Sequence, residues 1–303
     1  MTRAPVRSAL LVALAGFVSL SLGDAIVKSM AGEWPGTAVS ALRYGFGALG
    51  LALFVAWRHG RAGFVAPRPG LQLGRGAAVG LATICFFMGV MAMPLADATA
   101  IQFTSPILTA LLAPLLLGER TPRAAWAATM LAFAGVLVVL RPNLLALGPP
   151  AFWPLGAALG MSLLMMLNRK AAGVAPVAVM QLLLAGFAAP LIAAAALLLH
   201  GFGGAAFAIG PPSAEVAAKC AAVALFATLG HTLIYAAVVR ATAQAVAPMT
   251  YAQLLAAAGL GWAWFGDAPD AATFGGAGLI VAGGLILWRS QKGAAAATPD
   301  RRA

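Results

Sequence analysis

Charged and titratable side chains are rare in the long apolar stretches of this chain, and three of them could do chemistry there. Arg43 is the only basic residue well inside such a stretch, where it could bind a carboxylate or fix two helices together. Asp24, in the preceding stretch, could pair with Arg43 or with Lys28 four residues later. His231 could carry a coupling proton or act as a neutral hydrogen-bonding link between helices.

A second group of residues combines aromatic rings with amide side chains. Such residues would line an apolar cavity that suits a bulky amphiphilic solute. Arg43 would meet a carboxylate, the amides and His231 would meet polar groups, and the rings would stack on an apolar side chain. The candidate substrate-binding residues are therefore Arg43, Phe86, Gln102, Gln181, His231, Tyr235, Tyr251 and Gln253.

Common motifs of catalysis and nucleotide binding are absent from the sequence. It contains no HExxH, no GxSxG and no GxxxxGK[ST]. The three histidines are far apart, and the two cysteines lie in apolar stretches, so neither type has metal-ligand spacing. GFGALG (45–50) matches a dinucleotide fingerprint, but no strand precedes it, and we expect its glycines to pack helices together. We therefore expect no catalytic residue, metal or cofactor.

The composition indicates an integral membrane protein. Of the 303 residues, 62% are hydrophobic and 9% are charged, whereas soluble domains average about 45–50% and about 25%. Polar groups inside a bilayer are costly, so Asp24, Arg43 and His231 are functional candidates by default. The net charge of +11 does not indicate nucleic-acid binding, because the basic residues lie in short loops.

Ten apolar stretches are long enough to cross a bilayer, which takes about 20 residues each. The loops between them are short, no loop could hold a soluble catalytic domain, and residues 291–303 are predicted to form a disordered cytoplasmic tail. The predicted spans are approximately 8–28, 36–57, 73–93, 97–117, 122–140, 151–169, 175–199, 214–239, 243–265 and 271–289.

The basic residues predict the orientation of the chain. With the N-terminus in the cytoplasm, fifteen basic residues fall on the cytoplasmic side, and only Lys28, Arg141 and Lys219 fall outside. Arg43 is the remaining one of the nineteen. Because basic residues concentrate on the cytoplasmic side, we expect a multi-pass protein of a bacterial-type inner membrane with both termini in the cytoplasm.

Gly118-Glu119 marks one end of a unit that the sequence uses twice. A shift of 148 residues places Gly118-Glu119 on Gly266-Asp267 and Ala134-Gly135 on Ala282-Gly283. Each unit has five spans, an odd number, so the second copy must be inverted. The prediction is an all-α membrane protein with two inverted five-helix repeats, residues 1–145 and 146–290, around a central cavity. Inverted repeats of this kind are typical of secondary transporters.

The segment ADATAIQFTSPILTALLAPLLLGERTPRAAWAATMLAFAGVLVVLRP (96–142) carries a family resemblance. It combines a span, a Gly-Glu-Arg corner and a second span with an Ala-Gly pair. On these residues the chain resembles EamA-type ten-helix transporters of the drug/metabolite transporter superfamily, and it is most similar to YddG-type bacterial amino-acid exporters. The resemblance implies export of amino acids, aromatic or otherwise bulky and neutral, and of similar small metabolites, by alternating access.

Two rival functions remain open at this point. Export of toxic cations or drugs would need a carboxylate in the membrane, and Asp24 would serve if it faces the cavity. A membrane-embedded lipid-modifying enzyme would need clustered Asp, Glu or His, but the eight acidic residues are scattered, so we do not expect an enzyme. The expected partners are a small-molecule substrate and the lipid bilayer; no oligomer is required.

Overall fold

The computed structural model describes residues 3–117, 149–171, 173–240 and 251–296, with further helical positions at 127, 130, 131, 133–135, 137 and 138. Helices make up the regular structure of these residues, which contain no strand. Short 3-10 turns occur at Gly60–Phe64, Pro149–Phe152 and Ala205–Phe207. The α-helices are α1 (Arg3–Lys28), α2 (Gly36–His59), α3 (Pro69–Ala92), α4 (Leu95–Gln102), α5 (Ser105–Leu117), α6 (Trp153–Lys170), α7 (Val177–Phe202), α8 (Ala214–Arg240), α9 (Tyr251–Phe265) and α10 (Ala271–Ala296).

Several of these helices suit a membrane by length and composition. Among the described residues, five segments qualify as full spans, and α6 and α10 each contain a shorter apolar segment. The five are Leu11–Lys28, Gly36–Phe64, Pro69–Ala92, Val177–Phe202 and Ala214–Ile234. Most of the predicted fifth span, with the Gly118-Glu119 corner, lies outside the described residues, so the count of ten remains a prediction.

Proline and glycine set several of the helix ends. α2, α4 and α7 begin directly after Pro35, Pro94 and Pro176. Proline has a fixed φ and no N–H, so it can precede a helix without losing a hydrogen bond. α2 is followed by Gly60 (φ 60°) and α9 by Gly266 (φ 70°), conformations that residues with a Cβ rarely adopt.

The predicted fourth span, 97–117, is not one continuous helix. α4 ends at Gln102 and α5 begins at Ser105, with a break between them. Pro106 accounts for the break, because it has no N–H to donate to the carbonyl of Gln102. Discontinuous helices recur at the substrate sites of transporters.

The end of α10 also differs from the prediction. The helix continues to Ala296, beyond the predicted start of a disordered tail at residue 291. Ala294, Ala295 and Ala296 are strong helix formers and extend the last apolar helix. Residues 297–303 lie outside the described part of the chain, so the prediction for them stands untested.

Helix contacts in the two halves of the chain follow a matching pattern. α1 packs along α8, as α6 packs along α3; α1 contacts α9, as α6 contacts α5; α3 contacts α7, as α8 contacts α2. α2 also contacts α7, and α4 contacts α9. The pattern is symmetric: α1 corresponds to α6, α2 to α7, α3 to α8, and the α4–α5 pair to α9. Replacing each helix by its counterpart turns this set of contacts into itself.

The backbones of α1 and α8 approach closely at Gly16 and Gly230. A Cβ added to either glycine would lie 2.9 Å from the carbonyl oxygen of the other, and small residues allow such contact between membrane helices. The glycines of residues 45–50 differ, because an added Cβ there would have no heavy atom within 4 Å. The prediction that they pack is wrong for the described part of the chain: this face of α2, with Phe46 and Leu49 exposed, is turned away from the other helices.

The largest apolar core lies between the helices that carry the polar candidates. It joins residues of α1–α4, α6 and α8–α10, and Met30, Leu95 and Ile101 are almost fully buried within it. Large apolar side chains such as Leu53 and Leu197 are exposed on the outside of the bundle. An apolar exterior is stable in lipid, and buried packing between the helices fixes the depth and rotation of each one.

Candidate functional site

Asp24 and Gln253 connect α1 with α9. The Gln253 side chain donates a hydrogen bond from Nε2 to Asp24 Oδ2 at 3.3 Å. The hydroxyl of Ser21, one turn earlier on α1, donates to the backbone carbonyl of Gln253 at 2.9 Å. Asp24 is half-buried, and among the described residues its carboxylate forms no ion pair.

Arg43 of α2 is half-buried beside two aromatic rings. Its guanidinium carbon lies 4.6 Å from the ring centroid of Tyr44 and 5.6 Å from that of Phe87 in α3, which are cation–π distances. The Tyr44 hydroxyl lies 3.2 Å from the hydroxyl of Thr83, within hydrogen-bond distance. The rings therefore orient the guanidinium, and Tyr44 is tied to α3.

Arg43 also lies within electrostatic range of a carboxylate and an imidazole on other helices. It interacts electrostatically with Asp24 of α1 and with His231 of α8. Arg43 and Asp24 nevertheless do not form an ion pair at contact distance among the described residues. The direct pairing that the sequence suggested between them is thus absent, because the guanidinium stacks on the Tyr44 and Phe87 rings instead.

His231 lies one residue after Gly230, where α8 contacts α1. Its side chain is exposed, and no described residue forms a hydrogen bond with it. The sequence left open a role as a hydrogen-bonded link between helices, but the described side chains provide no such link. The imidazole lies within electrostatic range of Arg43 and has no described hydrogen-bond partner, so it can contact a solute.

Asp24, Arg43, His231 and Gln253 together form what we call the polar cluster. It draws one residue each from α1, α2, α8 and α9, and Tyr44 and Phe87 provide its rings. The cluster offers a carboxylate, a guanidinium, an amide and an imidazole in an otherwise apolar bundle. These groups can bind both charges of a zwitterion; the described residues near them do not form a nucleophile–base pair.

Three aromatic candidates from the sequence have different positions. Phe86 is 5% exposed and packs in the apolar core, and its neighbour Phe87 makes the ring contact with Arg43. Tyr235 lies in α8, and Tyr251 is the first residue of α9. The side chains of both tyrosines lie outside the described part of the structure, so their predicted roles remain predictions.

The two remaining amide candidates lie apart from the polar cluster. Gln102 is half-buried at the end of α4, next to the helix break. Gln181 lies near the start of α7, where Val179 packs with Val55 of α2. Val55 follows Arg43 by twelve residues on one helix, about 18 Å along the axis. The structure therefore places Gln181 at the far end of the bundle from Arg43.

A second polar group, centred on Arg75, occupies that end of the bundle. Arg75 is 4% exposed, and its Nε donates to Asn168 Oδ1 at 2.7 Å. Its Nη1 donates to the side-chain oxygen of Gln72 and to the carbonyl of Met180. These contacts join α3, α6 and α7, and none of the described partners of Arg75 is a carboxylate.

Lys28 does not pair with Asp24, although the spacing allowed it. It forms an ion pair with Asp267, in the corner between α9 and α10. Its Nζ also donates to the carbonyl of Met93 at 3.1 Å and lies 5.0 Å from the ring centroid of Phe265. The Lys28 side chain extends toward the end of α9, away from Asp24, and Asp24 instead accepts the hydrogen bond from Gln253.

Helix ends that were predicted to share a side of the membrane meet in space. At one end, in addition to Lys28–Asp267, Lys219 pairs with Glu33 at 3.1 Å, and the Trp34 indole donates to the carbonyl of Gly210 at 3.0 Å. At the other end, Arg75 meets Asn168. The contacts fit the alternation of spans that the basic residues predicted.

The predicted list of binding residues omits some side chains that the structure places in or beside the polar cluster. Asp24 was considered as a partner for Arg43 and as the carboxylate that a cation exporter would need, but it was not placed among the substrate-binding residues for an amino acid, although a carboxylate inside an apolar span is itself a signal. Tyr44 was not named, and of the two adjacent rings Phe86 and Phe87, both noted as lying deep in the membrane, only Phe86 was placed among the binding residues. Each helical residue is rotated by about 100° from the one before it, so the sequence could not decide between Phe86 and Phe87.

Comparisons with known proteins agree with this architecture. The EamA-like transporter family matches residues 7–141. The riboflavin transporter of Rhizobium johnstonii is 30% identical over 290 residues, covering 94% of this chain and 92% of that protein. The pseudopaline exporter CntI of Pseudomonas aeruginosa is 27% identical over 299 residues, covering 95% and 98%.

Two further similarities extend along nearly the whole chain. The S-adenosylmethionine uptake transporter of Rickettsia prowazekii is 25% identical over 280 residues and covers 92% of both chains. A solved crystal structure with 22% sequence identity superposes with a TM-score of 0.59, covering 94% of this chain and 99% of the other, so the two share a fold. The named relatives are transporters and not enzymes, and we conclude that this chain is a multi-pass membrane transporter that belongs to the EamA-like family of the drug/metabolite transporter superfamily.

Proposed function

We propose that this transporter exports amino acids, preferentially aromatic or other bulky neutral ones, and similar small metabolites across the inner membrane. The observation that carries the proposal is the presence of Asp24 and Arg43 in one cluster without a direct ion pair. An amino acid presents one carboxylate and one ammonium group. Arg43 would bind the carboxylate, since guanidinium–carboxylate pairs form strong charge-assisted hydrogen bonds, and Asp24 would bind the ammonium.

The surroundings of Arg43 support a bulky apolar substrate side chain. Tyr44 and Phe87 lie beside the guanidinium, so a solute bound there would also meet aromatic surface. Aromatic pairs gain energy beyond the area that they bury. Mostly apolar pockets with a few placed polar groups are the usual form of small-molecule sites.

Transport by alternating access would follow from two inverted repeats, residues 1–145 and 146–290, with both termini in the cytoplasm. The exchange of helix contacts between α1–α5 and α6–α9 supports this arrangement. The polar cluster draws residues from both proposed repeats, as a site between two rocking halves requires. The concentration of basic residues on one side supports the proposed orientation.

Opposite ends of the bundle would then open in turn. Lys28–Asp267 connects the two proposed repeats at the end assigned to the outside, and Arg75–Asn168 connects them at the other end. Access from one side requires the contact on that side to break while the other holds. Asp24 lies one turn below Lys28, so opening at the outer end would expose the polar cluster directly.

A proton gradient is the proposed driving force, with His231 as the carrier. The imidazole lies within electrostatic range of Arg43, and histidine is the general choice for a proton carrier because an unperturbed imidazole changes charge near neutral pH. Because protons enter while the substrate leaves, this coupling requires the proton and the substrate to occupy the site in turn.

The proposed function is tested with purified protein in liposomes. We would measure flux of phenylalanine, tryptophan, leucine, aspartate, riboflavin and S-adenosylmethionine, with and without a pH gradient. Saturable flux of the aromatic amino acids, lost in Arg43→Gln and retained in the matched control Arg58→Gln, is expected. Absence of any amino-acid flux, in protein that still moves another solute of the panel, would contradict amino-acid export.

Export of organic cations is a second candidate, and one observation favours it. Asp24 is half-buried and accepts a hydrogen bond from a neutral amide, so it could bind a cation without a carboxylate partner. Tetraphenylphosphonium flux separates the two functions. A cation exporter loses this flux in Asp24→Asn and gains or keeps it in Arg43→Gln, whereas an amino-acid exporter needs both residues for phenylalanine.

A further inference from the structure

We propose that a groove between α3, α5 and α6 binds an acyl chain of an anionic phospholipid, with Lys170 and Arg68 holding the phosphate headgroup at its mouth. The site is distinct from the polar cluster. Ala77, which lines the groove, precedes Phe87 by ten residues on α3, about 15 Å along the helix axis. The proposal does not depend on the substrate that the protein carries.

The groove is an apolar space with one charged residue. Its volume is about 320 Å³, within the size range of small-molecule pockets. Lys170 is the only polar side chain among the residues that line it. Leu81 from α3, Leu116 from α5 and Leu163 from α6 represent the three apolar walls.

Small residues of α3 create the space. Gly74, Ala77 and Ala78 face the groove, and a Cβ added to Gly74 would already lie 3.5 Å from a methyl carbon of Leu167. Leu81 and Leu116 remain 41% and 45% exposed, so the groove opens toward the outer surface of the bundle. An acyl chain in the surrounding bilayer can therefore enter from the side.

The charges at the mouth call for an anion. Arg68 donates from its guanidinium to the backbone carbonyl of Lys170 at 3.4 Å, which brings two cations together. Arg75, one residue after Gly74, adds a buried guanidinium whose described partners are neutral. The described carboxylates other than Asp24 lie near the opposite end of the bundle, and no described acidic side chain neutralises these cations.

An anionic phospholipid matches both features of the site. Its acyl chain fits an apolar groove that opens to the bilayer, and its phosphate complements adjacent basic residues. Basic pockets between transmembrane helices bind anionic headgroups on the cytoplasmic side, the side to which the basic residues assign this end of the chain.

The experiment measures lipids retained by the purified full-length protein. Native mass spectrometry would count dioleoyl phosphatidylglycerol and dioleoyl phosphatidylcholine bound after mild detergent exchange. We expect preferential retention of phosphatidylglycerol, reduced about fivefold in Lys170→Gln because one basic residue near the membrane contributes about 1 kcal/mol. The matched control Arg58→Gln removes an exposed cation of α2 outside the groove and should keep the preference.

A second pair of variants tests the groove itself. Ala77→Trp fills the space, and Ala56→Trp places the same side chain on an exposed position of α2 outside it. Ala77→Trp should lose retention of phosphatidylglycerol, and Ala56→Trp should not. Melting temperatures in pure phosphatidylcholine, unchanged in all four variants, establish that each one is folded.

Several results would overturn the proposal. Equal losses in Lys170→Gln and Arg58→Gln would mean general attraction to the membrane surface and no site. Unchanged retention in Ala77→Trp would exclude the groove as the acyl-chain position. If glycerol phosphate alone raised the melting temperature as much as phosphatidylglycerol does, the basic residues would be assigned to a free phosphate. A concentration-dependent dimer, abolished by Ala77→Trp, would assign the groove to a second copy of the chain.

Discussion

The Arg43 guanidinium allows a direct test of how this transporter recognises its substrate. The change is Arg43→Gln, which removes the charge and keeps a polar side chain at the position. In parallel, the substrate is changed from phenylalanine to phenylalaninamide, which lacks the carboxylate. If Arg43 binds that carboxylate, either change alone removes the same interaction, and making both changes costs little more than making one.

The size of the effect follows from the burial of Arg43. A hydrogen bond to a charged group contributes about 1.5–3 kcal/mol, and the half-buried position of Arg43 argues against the larger values of fully buried pairs. At about 1.4 kcal/mol for each factor of ten, kcat/KM for phenylalanine should fall about 10–150-fold in Arg43→Gln. For phenylalaninamide the same substitution should change kcat/KM less than about threefold.

Initial rates of uptake into proteoliposomes give the four values of kcat/KM. Arg58→Gln serves as the matched control, because Arg58 is an exposed arginine on the same helix. Arg43 also contacts Tyr44 and Phe87, so a purely structural role would disturb transport of both substrates alike. Equal losses for phenylalanine and phenylalaninamide would refute the reasoning and assign Arg43 to helix packing.

Three further predictions concern other parts of the chain. Lys28→Gln should destabilise the protein by about 1–3 kcal/mol, since it leaves Asp267 unpaired, and the exchange Lys28→Asp with Asp267→Lys should recover most of the loss in melting temperature; no recovery would mean that the two residues act separately. Gly16→Ala should cost about 1–3 kcal/mol because its Cβ would meet α8, whereas Gly50→Ala on the open face of α2 should be neutral or stabilising, as thermal unfolding in detergent can show. His231→Ala should abolish the stimulation of phenylalanine flux by a pH gradient and leave counterflow exchange; a variant that still responds fully to the gradient would remove His231 as the proton carrier.

The membrane class and the family could be predicted from composition and local pattern. A chain with 62% hydrophobic and 9% charged residues has no soluble core that could absorb its apolar surface. Several helix ends followed from proline and glycine, whose backbone restrictions act locally. Even so, Pro106 broke the predicted fourth span, because one missing N–H outweighed the continuous hydrophobicity of residues 97–117.

The site could be predicted only in part. Arg43, His231 and Gln253 were identified because polar groups in apolar spans stand out, and the structure brings them together with Asp24. Gln181 stands out in the same way, yet it lies at the other end of the bundle. Depth along a helix is readable from the sequence, but the neighbours of a side chain depend on how the helices are rotated and tilted.

The sequence by itself determined that this protein lies in a lipid bilayer, that it is helical, and which few of its residues are costly to place in a bilayer. These properties follow from local hydrophobicity and backbone chemistry. Only the tertiary structure decided that Asp24 takes Gln253 while Lys28 takes Asp267, and that Phe87 and not Phe86 meets Arg43. The physical reason is that partners distant in sequence, up to 239 residues apart, are chosen by helix packing, where a rotation of 100° or a shift of one turn exchanges every contact.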